Sequence, residues 1–155
     1  MHQVIRPIFL ARSGSHCEGR CPTECRLSHS DLHWSCRVVL RKTFDERGLP
    51  LGIAANIPFG PVITDKKDVE ERIHRAQRAI LNPSTNHETF LSGPDGEPAG
   101  SCELSFSKNC VRLELSGPDL TDLSFCDLPG TYFVRRPVIL LSSVGSIQRI
   151  DSQRR

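Results

Sequence analysis

The sequence has few aromatic residues, no long apolar run and no marked excess of one charge. Aromatic residues make up 6% of the 155 positions, with a single Trp and a single Tyr, so we expect a lean core. The apolar stretch at residues 4–11 is interrupted by Arg6 and Pro7 and is shorter than the roughly 20 apolar residues of a membrane-spanning helix. We therefore predict no membrane span, no secretory leader and a cytoplasmic location.

The charge balance gives no reason to propose a nucleic-acid partner. Lys and Arg number 20 and Asp and Glu number 18, which leaves a formal net charge of +2. Binding to nucleic acid needs basic residues gathered on one face, and a slight overall excess does not supply them. The length fits one domain or part of a larger one.

The seven cysteines are an odd number, which disfavours a closed disulfide framework and predicts reduced thiols. One stretch combines the side chains that zinc prefers. Structural zinc sites usually join two separated pairs of ligands, whereas these residues lie close together in the chain, so a zinc-binding module is kept only as an alternative. The residues concerned are His16, Cys17, Cys21, Cys25, His29 and His33.

Alternating apolar and polar residues predict short strands near residues 24–27, 35–41, 104–106, 111–115 and 120–126. A turn is expected at residues 45–48, and another at 117–119. Residues 49–63 are rich in Pro and Gly, so this segment is predicted to be an extended connection without regular strand pairing. A second Pro/Gly-rich link is expected at residues 92–98. The single Trp34 is interpreted as a packing residue, and Cys126 as a small buried one.

The clearest element is a helix from Asp68 to Leu81, capped by Thr64 or Asp65 and ended by Asn82. Its apolar positions recur at intervals of four, three and four, which places them on one face: Val69, Ile73, Ala76 and Ile80. The other face is predicted to be a solvated surface on which Glu71 pairs with Arg75; it carries Glu70, Glu71, Arg72, Arg75 and Arg78.

The last predicted strand runs directly into Asp127-Leu128-Pro129-Gly130. An acidic residue at the carboxyl end of a strand lies where α/β folds bind ligands. In nucleotide triphosphatases, this pattern puts a carboxylate near a magnesium ion and a glycine amide near the terminal phosphate.

Several sequence blocks, in order, resemble the GTPase domain of the dynamin family, especially its fungal members. Residues 20–27 resemble the segment after the family's switch I, and residues 59–66 and 69–83 resemble the loop and helix that follow. Residues 103–106 and 120–130 resemble the strands that end in its switch II motif. The resemblance divides the chain into a divergent segment at 1–19, a partial GTPase domain at 20–130 and a divergent basic tail at 131–155.

The resemblance implies an α/β fold: an incomplete P-loop-GTPase-like mixed sheet with a flanking helix, lacking the phosphate-loop strand and helix. It implies binding and hydrolysis of GTP with Mg²⁺, and self-assembly or pairing with dynamin-family relatives. It further implies membrane remodelling such as organelle fission, peripheral association with organelle membranes, and microtubule binding. Asp127 would hold Mg²⁺, usually through water, and the Gly130 amide would reach the γ-phosphate.

Three family features have no counterpart in this chain. No Gly-x-x-x-x-Gly-Lys-Ser/Thr phosphate loop occurs, Gly19 stands where the family has its switch I Thr, and residues 131–155 do not match the guanine-reading motif. Because phosphoryl transfer depends on positioning and electrostatic stabilisation, we predict negligible GTPase activity from this chain alone and assign no catalytic residue. The alternative is a non-catalytic interaction module that pairs with full-length relatives through exposed sheet edges.

Overall fold

A computed structural model describes residues 20–92 and 102–129 of the chain. Five strands and two helices lie within these ranges, so the expected mixed α/β class is confirmed, while the P-loop GTPase arrangement stays a prediction. The elements in order are β1 (Thr23–His29), β2 (Ser35–Phe44), β3 (Pro50–Pro58), α1 (Asp68–Leu81), the single-turn α2 (Thr89–Ser92), β4 (Cys110–Gly117) and β5 (Leu123–Asp127).

The five strands form one mixed sheet in the order β3-β2-β4-β1-β5. Only the central pair is parallel: β1 runs alongside β4, with Thr23 opposite Val111 and His29 opposite Gly117. The other neighbours are antiparallel, so β3 and β5 are the two edge strands of the described sheet.

The core lies between one face of the sheet and α1. Leu113 of β4 has Cys25 on one side and Val38 on the other, and all three side chains are buried. The apolar stripe of α1 packs against this face, and the predicted helix from Asp68 to Leu81 is confirmed. Trp34 packs against the same cluster, as expected. Among the described residues, no helix is long and apolar enough to cross a membrane.

The predicted cap of α1 is wrong. The residue at the N-cap position is Lys67, and it makes no side-chain capping hydrogen bond. Asp65 instead accepts the backbone N–H of Lys67 at 3.0 Å, which forms a local turn just before the helix. The negative charge near the positive end of the helix dipole comes from the first turn itself: Asp68, Glu70 and Glu71.

The Pro/Gly-rich segment forms a strand, so its prediction as an unpaired connection is wrong. Pro50–Pro58 is β3, which pairs with β2 at the edge of the sheet. The two prolines stand at its ends, and Gly52 lies inside it. Proline is tolerated at strand ends and on edge strands because the missing N–H interrupts few ladder bonds there.

The strand predicted at residues 104–106 is absent. Leu104 donates its N–H to Leu81 O at 2.9 Å, and Ser107 donates to Arg20 O at 3.0 Å. Glu103 also accepts the Ser84 N–H and hydroxyl at the end of α1. This segment therefore joins the carboxyl end of the helix to the sheet, whereas most of the link expected at 92–98 lies outside the described residues.

The cysteines of the described residues differ in oxidation state. Cys102 is disulfide-bonded, so the prediction of reduced thiols is wrong for that residue. The other cysteines of the described ranges are free, and three of them are buried. Burial raises the pKa of each of those three thiols to about 12, which makes them inert core residues: Cys21, Cys25 and Cys36.

Candidate functional site

Asp127 is the last residue of the edge strand β5, and its side chain is exposed. It lies opposite Thr23, the first residue of β1, because β5 runs antiparallel to β1. The carboxyl ends of the parallel pair β1 and β4 are at the other end of the sheet, at His29 and Gly117. Within the described sheet, Asp127 is therefore at the carboxyl end of its own strand but at the amino ends of the parallel pair. Gly130 lies outside the described residues.

The described residues around Asp127 do not form a metal site by themselves. Among residues 20–92 and 102–129, no group of three or more His, Cys, Asp or Glu side chains could hold an ion. Of the stretch considered for zinc, Cys21 and Cys25 are buried in the core, and His16 and Cys17 lie outside the described residues. Asp127, the residue assigned to Mg²⁺ from the sequence, thus belongs to no such group among the described residues and would not hold Mg²⁺ unaided.

Cys126, the neighbour of Asp127, is exposed, so its prediction as a buried residue is wrong. Its side chain lies on the sheet face opposite to α1, where Glu24 is its cross-strand partner. Partial burial and the nearby Glu24 and Asp127 carboxylates raise the pKa of Cys126. The thiol is therefore accessible but mostly protonated at neutral pH, which does not suit a nucleophile.

Strand β5 has a strand neighbour on one side only, among the described residues. Phe125 packs toward the core, but the other residues of β5 are exposed. Leu123 is 52% exposed at the start of the strand, and Leu128, just after it, is 70% exposed. An exposed edge strand with apolar side chains can pair with another strand.

A partly buried ion pair joins β1 to β4 beside this edge. Arg112 is 7% exposed and donates from Nε to Glu24 Oε2 at 2.9 Å. Glu24 also accepts Arg26 Nε at 2.8 Å. Partial burial alone would raise the pKa of Glu24, but the hydrogen bonds and charges of Arg112 and Arg26 together outweigh it and hold the pKa below its ordinary value. Glu24 is therefore ionised at neutral pH.

A second polar contact holds α1 to the loop after β3. Arg72 donates from Nη1 to Phe59 O at 3.2 Å and to Pro61 O at 3.3 Å. Gly60, between those two carbonyls, has φ +78°, and a Cβ atom there would overlap the Arg72 guanidinium. Arg75 similarly donates to Leu91 O at 2.7 Å. Arg72 therefore anchors the loop after β3 and Arg75 anchors α2, and the predicted pair of Glu71 with Arg75 is also present.

A scan against protein-family models finds no match, and a search of curated proteins finds none. The dynamin-family resemblance therefore remains a prediction, as do GTP binding, partners and membrane association.

Sequence reasoning singled out Asp127 but missed the residues that organise its surroundings. Glu24 and Arg112 are 88 positions apart, and their pairing depends on which strands are neighbours. The available signal was the alternation of charged with apolar residues in β1 and β4, which predicts a charged face but not a particular ion pair.

Proposed function

We propose that this chain is a partial dynamin-type GTPase domain that does not turn over GTP alone. It acts as an interaction module: a strand from an intact relative pairs with β5 at the edge of its sheet. Its association with organelle membranes would then come through that relative. The observation that carries the proposal is the position of β5 at the edge of the sheet formed by residues 20–92 and 102–129, with the exposed Asp127 at its end.

The edge has the properties that strand addition requires. The incoming strand obtains main-chain hydrogen bonds from β5, and alternate side chains meet an apolar surface that includes Leu123. β5 has no proline within it, and its described residues include no lysine, the two residues that commonly protect an edge.

The nucleotide side of the proposal depends on residues that the chain lacks. Asp127 would contribute one ligand to Mg²⁺, while the phosphate cradle and the switch I hydroxyl would have to come from a partner. GTP is therefore expected to bind weakly or not at all to the isolated chain. A complex with an intact relative is the form in which Asp127 would approach a nucleotide.

The pairing is tested by size-exclusion chromatography of the full chain mixed with an intact dynamin-type GTPase. We expect co-elution of the wild-type chain, and loss of co-elution for Leu123→Lys, because a lysine on the edge disfavours strand addition. The matched control is Ile53→Lys on the opposite edge strand β3, where Ile53 is 88% exposed. No co-elution, or equal loss in both variants, would contradict the proposal.

The nucleotide prediction is tested by titrating a fluorescent GTP analogue with Mg²⁺ against the folded chain. We expect no saturable micromolar binding. Saturable binding that is weakened by Asp127→Asn would show that the chain cradles the phosphates with residues not recognised in the sequence, and would overturn the non-catalytic reading.

A further inference from the structure

The sheet has an overhanging hairpin at the edge opposite to β5. Strand β4 begins at Cys110, which pairs with Arg41, so residues 42–44 of β2 extend beyond β4 together with the start of β3. A cleft of about 570 Å³, here called the hairpin cleft, lies between this hairpin, the carboxyl end of α1 and residues 104–109. This volume is within the range of small-molecule sites.

The floor of the hairpin cleft is apolar. Ile80 at the end of α1 is buried, and Leu104 and Phe44 continue the lining. Two further apolar residues line the cleft yet retain much of their exposure: Phe106 is 54% exposed and Leu51 is 38% exposed. Large apolar side chains that are exposed inside a concave site favour a ligand that covers them.

Two of the polar side chains that line the cleft form hydrogen bonds with the protein backbone. The Asn109 side chain accepts the N–H groups of Thr43 and Phe44 and donates to Phe44 O. The Asp45 carboxylate accepts the N–H groups of Arg47 and Leu49 at 2.9 and 2.8 Å. The Asn109 amide is therefore engaged within the protein, whereas the Asp45 carboxylate still adds a negative charge to the lining.

The remaining charged groups are mostly cations. Lys42, Arg47 and Lys108 line the cleft, and none of them forms an ion pair within residues 20–92 and 102–129. Lys108 Nζ lies 5.0 Å from the centroid of the Phe44 ring, which holds the ammonium beside the apolar surface. Asp45 and Glu46 are the lining carboxylates, so three cations face two anions and the lining has a formal charge of 3 − 2 = +1.

From this charge complementarity we propose that the hairpin cleft binds a small amphipathic organic anion. Its aromatic or aliphatic body would cover Phe106 and Leu51, and its carboxylate, sulfonate or phosphate would pair with Lys108 and Lys42. Burial of the apolar body supplies most of the binding free energy, and the cations select the charge. The site is at the opposite edge of the sheet from β5, so it does not rest on the proposed function.

The proposal is tested by titrating the full-length chain with 2-naphthoate and with its neutral analogue 2-naphthamide, followed by protein-observed NMR. We expect saturable binding of naphthoate and binding of naphthamide that is about tenfold weaker. Lys108→Gln should weaken naphthoate about threefold to tenfold and leave naphthamide unchanged. Phe106→Ser should weaken both ligands.

The matched control is Lys66→Gln. Lys66 also lies over an aromatic ring, with its Nζ 5.6 Å from the centroid of the Trp34 ring, but it is outside the cleft. It should leave both affinities unchanged. Circular dichroism and the urea midpoint establish that each variant is folded. Equal affinity for the acid and the amide, equal loss in Lys66→Gln and Lys108→Gln, or no saturable binding by the folded wild-type chain would each overturn the proposal.

Discussion

The side chain of Asn109 pairs with the backbone of Phe44 and so continues the sheet past the first residue of β4. Asn109 Oδ1 accepts the N–H of Phe44 at 2.9 Å and that of Thr43 at 2.8 Å, while Nδ2 donates to Phe44 O at 3.1 Å. The side-chain amide thus takes the place of the backbone groups that a longer β4 would supply. It fixes residues 43–44 at the end of β2.

Replacing Asn109 with Ala is expected to lower the free energy of unfolding by about 1–2 kcal/mol. The change removes three hydrogen bonds, although water can reach the freed groups in part. Urea unfolding followed by circular dichroism measures the loss. Asn56→Ala is the control, because Asn56 only accepts a long hydrogen bond from Arg41 at 3.5 Å on the exposed edge, and it should change stability by less than about 0.5 kcal/mol. Equal effects of the two substitutions would refute the stabilising role of Asn109.

Three glycines allow backbone strain to be separated from steric overlap. Gly52 has ordinary φ and open space, Gly48 has φ +77° and open space, and Gly60 has φ +78° with the Arg72 guanidinium against it. We expect Gly52→Ala to be nearly neutral, Gly48→Ala to cost about 1 kcal/mol, and Gly60→Ala to cost about 2 kcal/mol or more. A Cβ at Gly60 would displace the Arg72 guanidinium and break its hydrogen bonds to Phe59 O and Pro61 O, so thermal and urea unfolding should give this order. A Gly60→Ala variant no less stable than Gly48→Ala would contradict a stabilising role of those hydrogen bonds.

Removing the charge of Glu24 is expected to destabilise the sheet through Arg112. Glu24→Gln leaves the buried guanidinium of Arg112 without its carboxylate, with an expected loss of about 1–3 kcal/mol at pH 7. Glu114→Gln is the matched control, because Glu114 pairs with an exposed Arg37 at 3.8 Å, and its effect should stay below about 1 kcal/mol. The measurement is urea unfolding of both variants beside the wild type.

The same carboxylate predicts a pH dependence with a definite sign. The pKa of Glu24 is lower in the folded chain than its ordinary value of 4.5, so the folded state binds protons less readily than the unfolded one. The contribution of Glu24 to the free energy of unfolding is complete above about pH 4.5, and it disappears as the pH falls through the lower pKa of the folded state. The stability difference between wild type and Glu24→Gln should therefore shrink below about pH 4.5, and a difference that grows on acidification would refute the assignment.

The free thiols should react in an order set by burial. Because burial raises the pKa of Cys25 and Cys36 to about 12, only about one thiol in ten thousand is ionised at pH 8, and neither is accessible. Iodoacetamide labelling read by mass spectrometry should therefore modify the exposed Cys126 first and the core thiols only in urea. Cys126→Ser should remove the fastest step, whereas rapid native labelling of Cys25 would contradict its place in the core.

Local patterns predicted the elements whose stability depends on local spacing. Helix α1 was predictable because Val69, Ile73 and Ala76 repeat with the helical period and have one face to bury. Strand β3 was not, since its glycine and its terminal prolines indicate a loop, and only the neighbouring β2 shows that the prolines stand at strand ends.

The surroundings of Asp127 could not be predicted from the sequence, for a different reason. The strand leading to it was predicted, but which end of the sheet it occupies depends on whether β5 runs parallel or antiparallel to β1. Arg72 is a similar case: its charge predicts exposure, whereas its length allows the guanidinium to reach carbonyl groups of a distant loop.

The central parallel pair has a consequence for the order in which the chain assembles during synthesis. β1 leaves the ribosome before β2, β3 and α1, yet its two partners β4 and β5 are made after all three of them. The β2–β3 hairpin can close locally and early, whereas β1 must stay unpaired until residues 110–127 emerge. Throughout that interval the nascent chain exposes a strand containing Cys25 and Leu27, two core side chains whose strand partners have not yet been made.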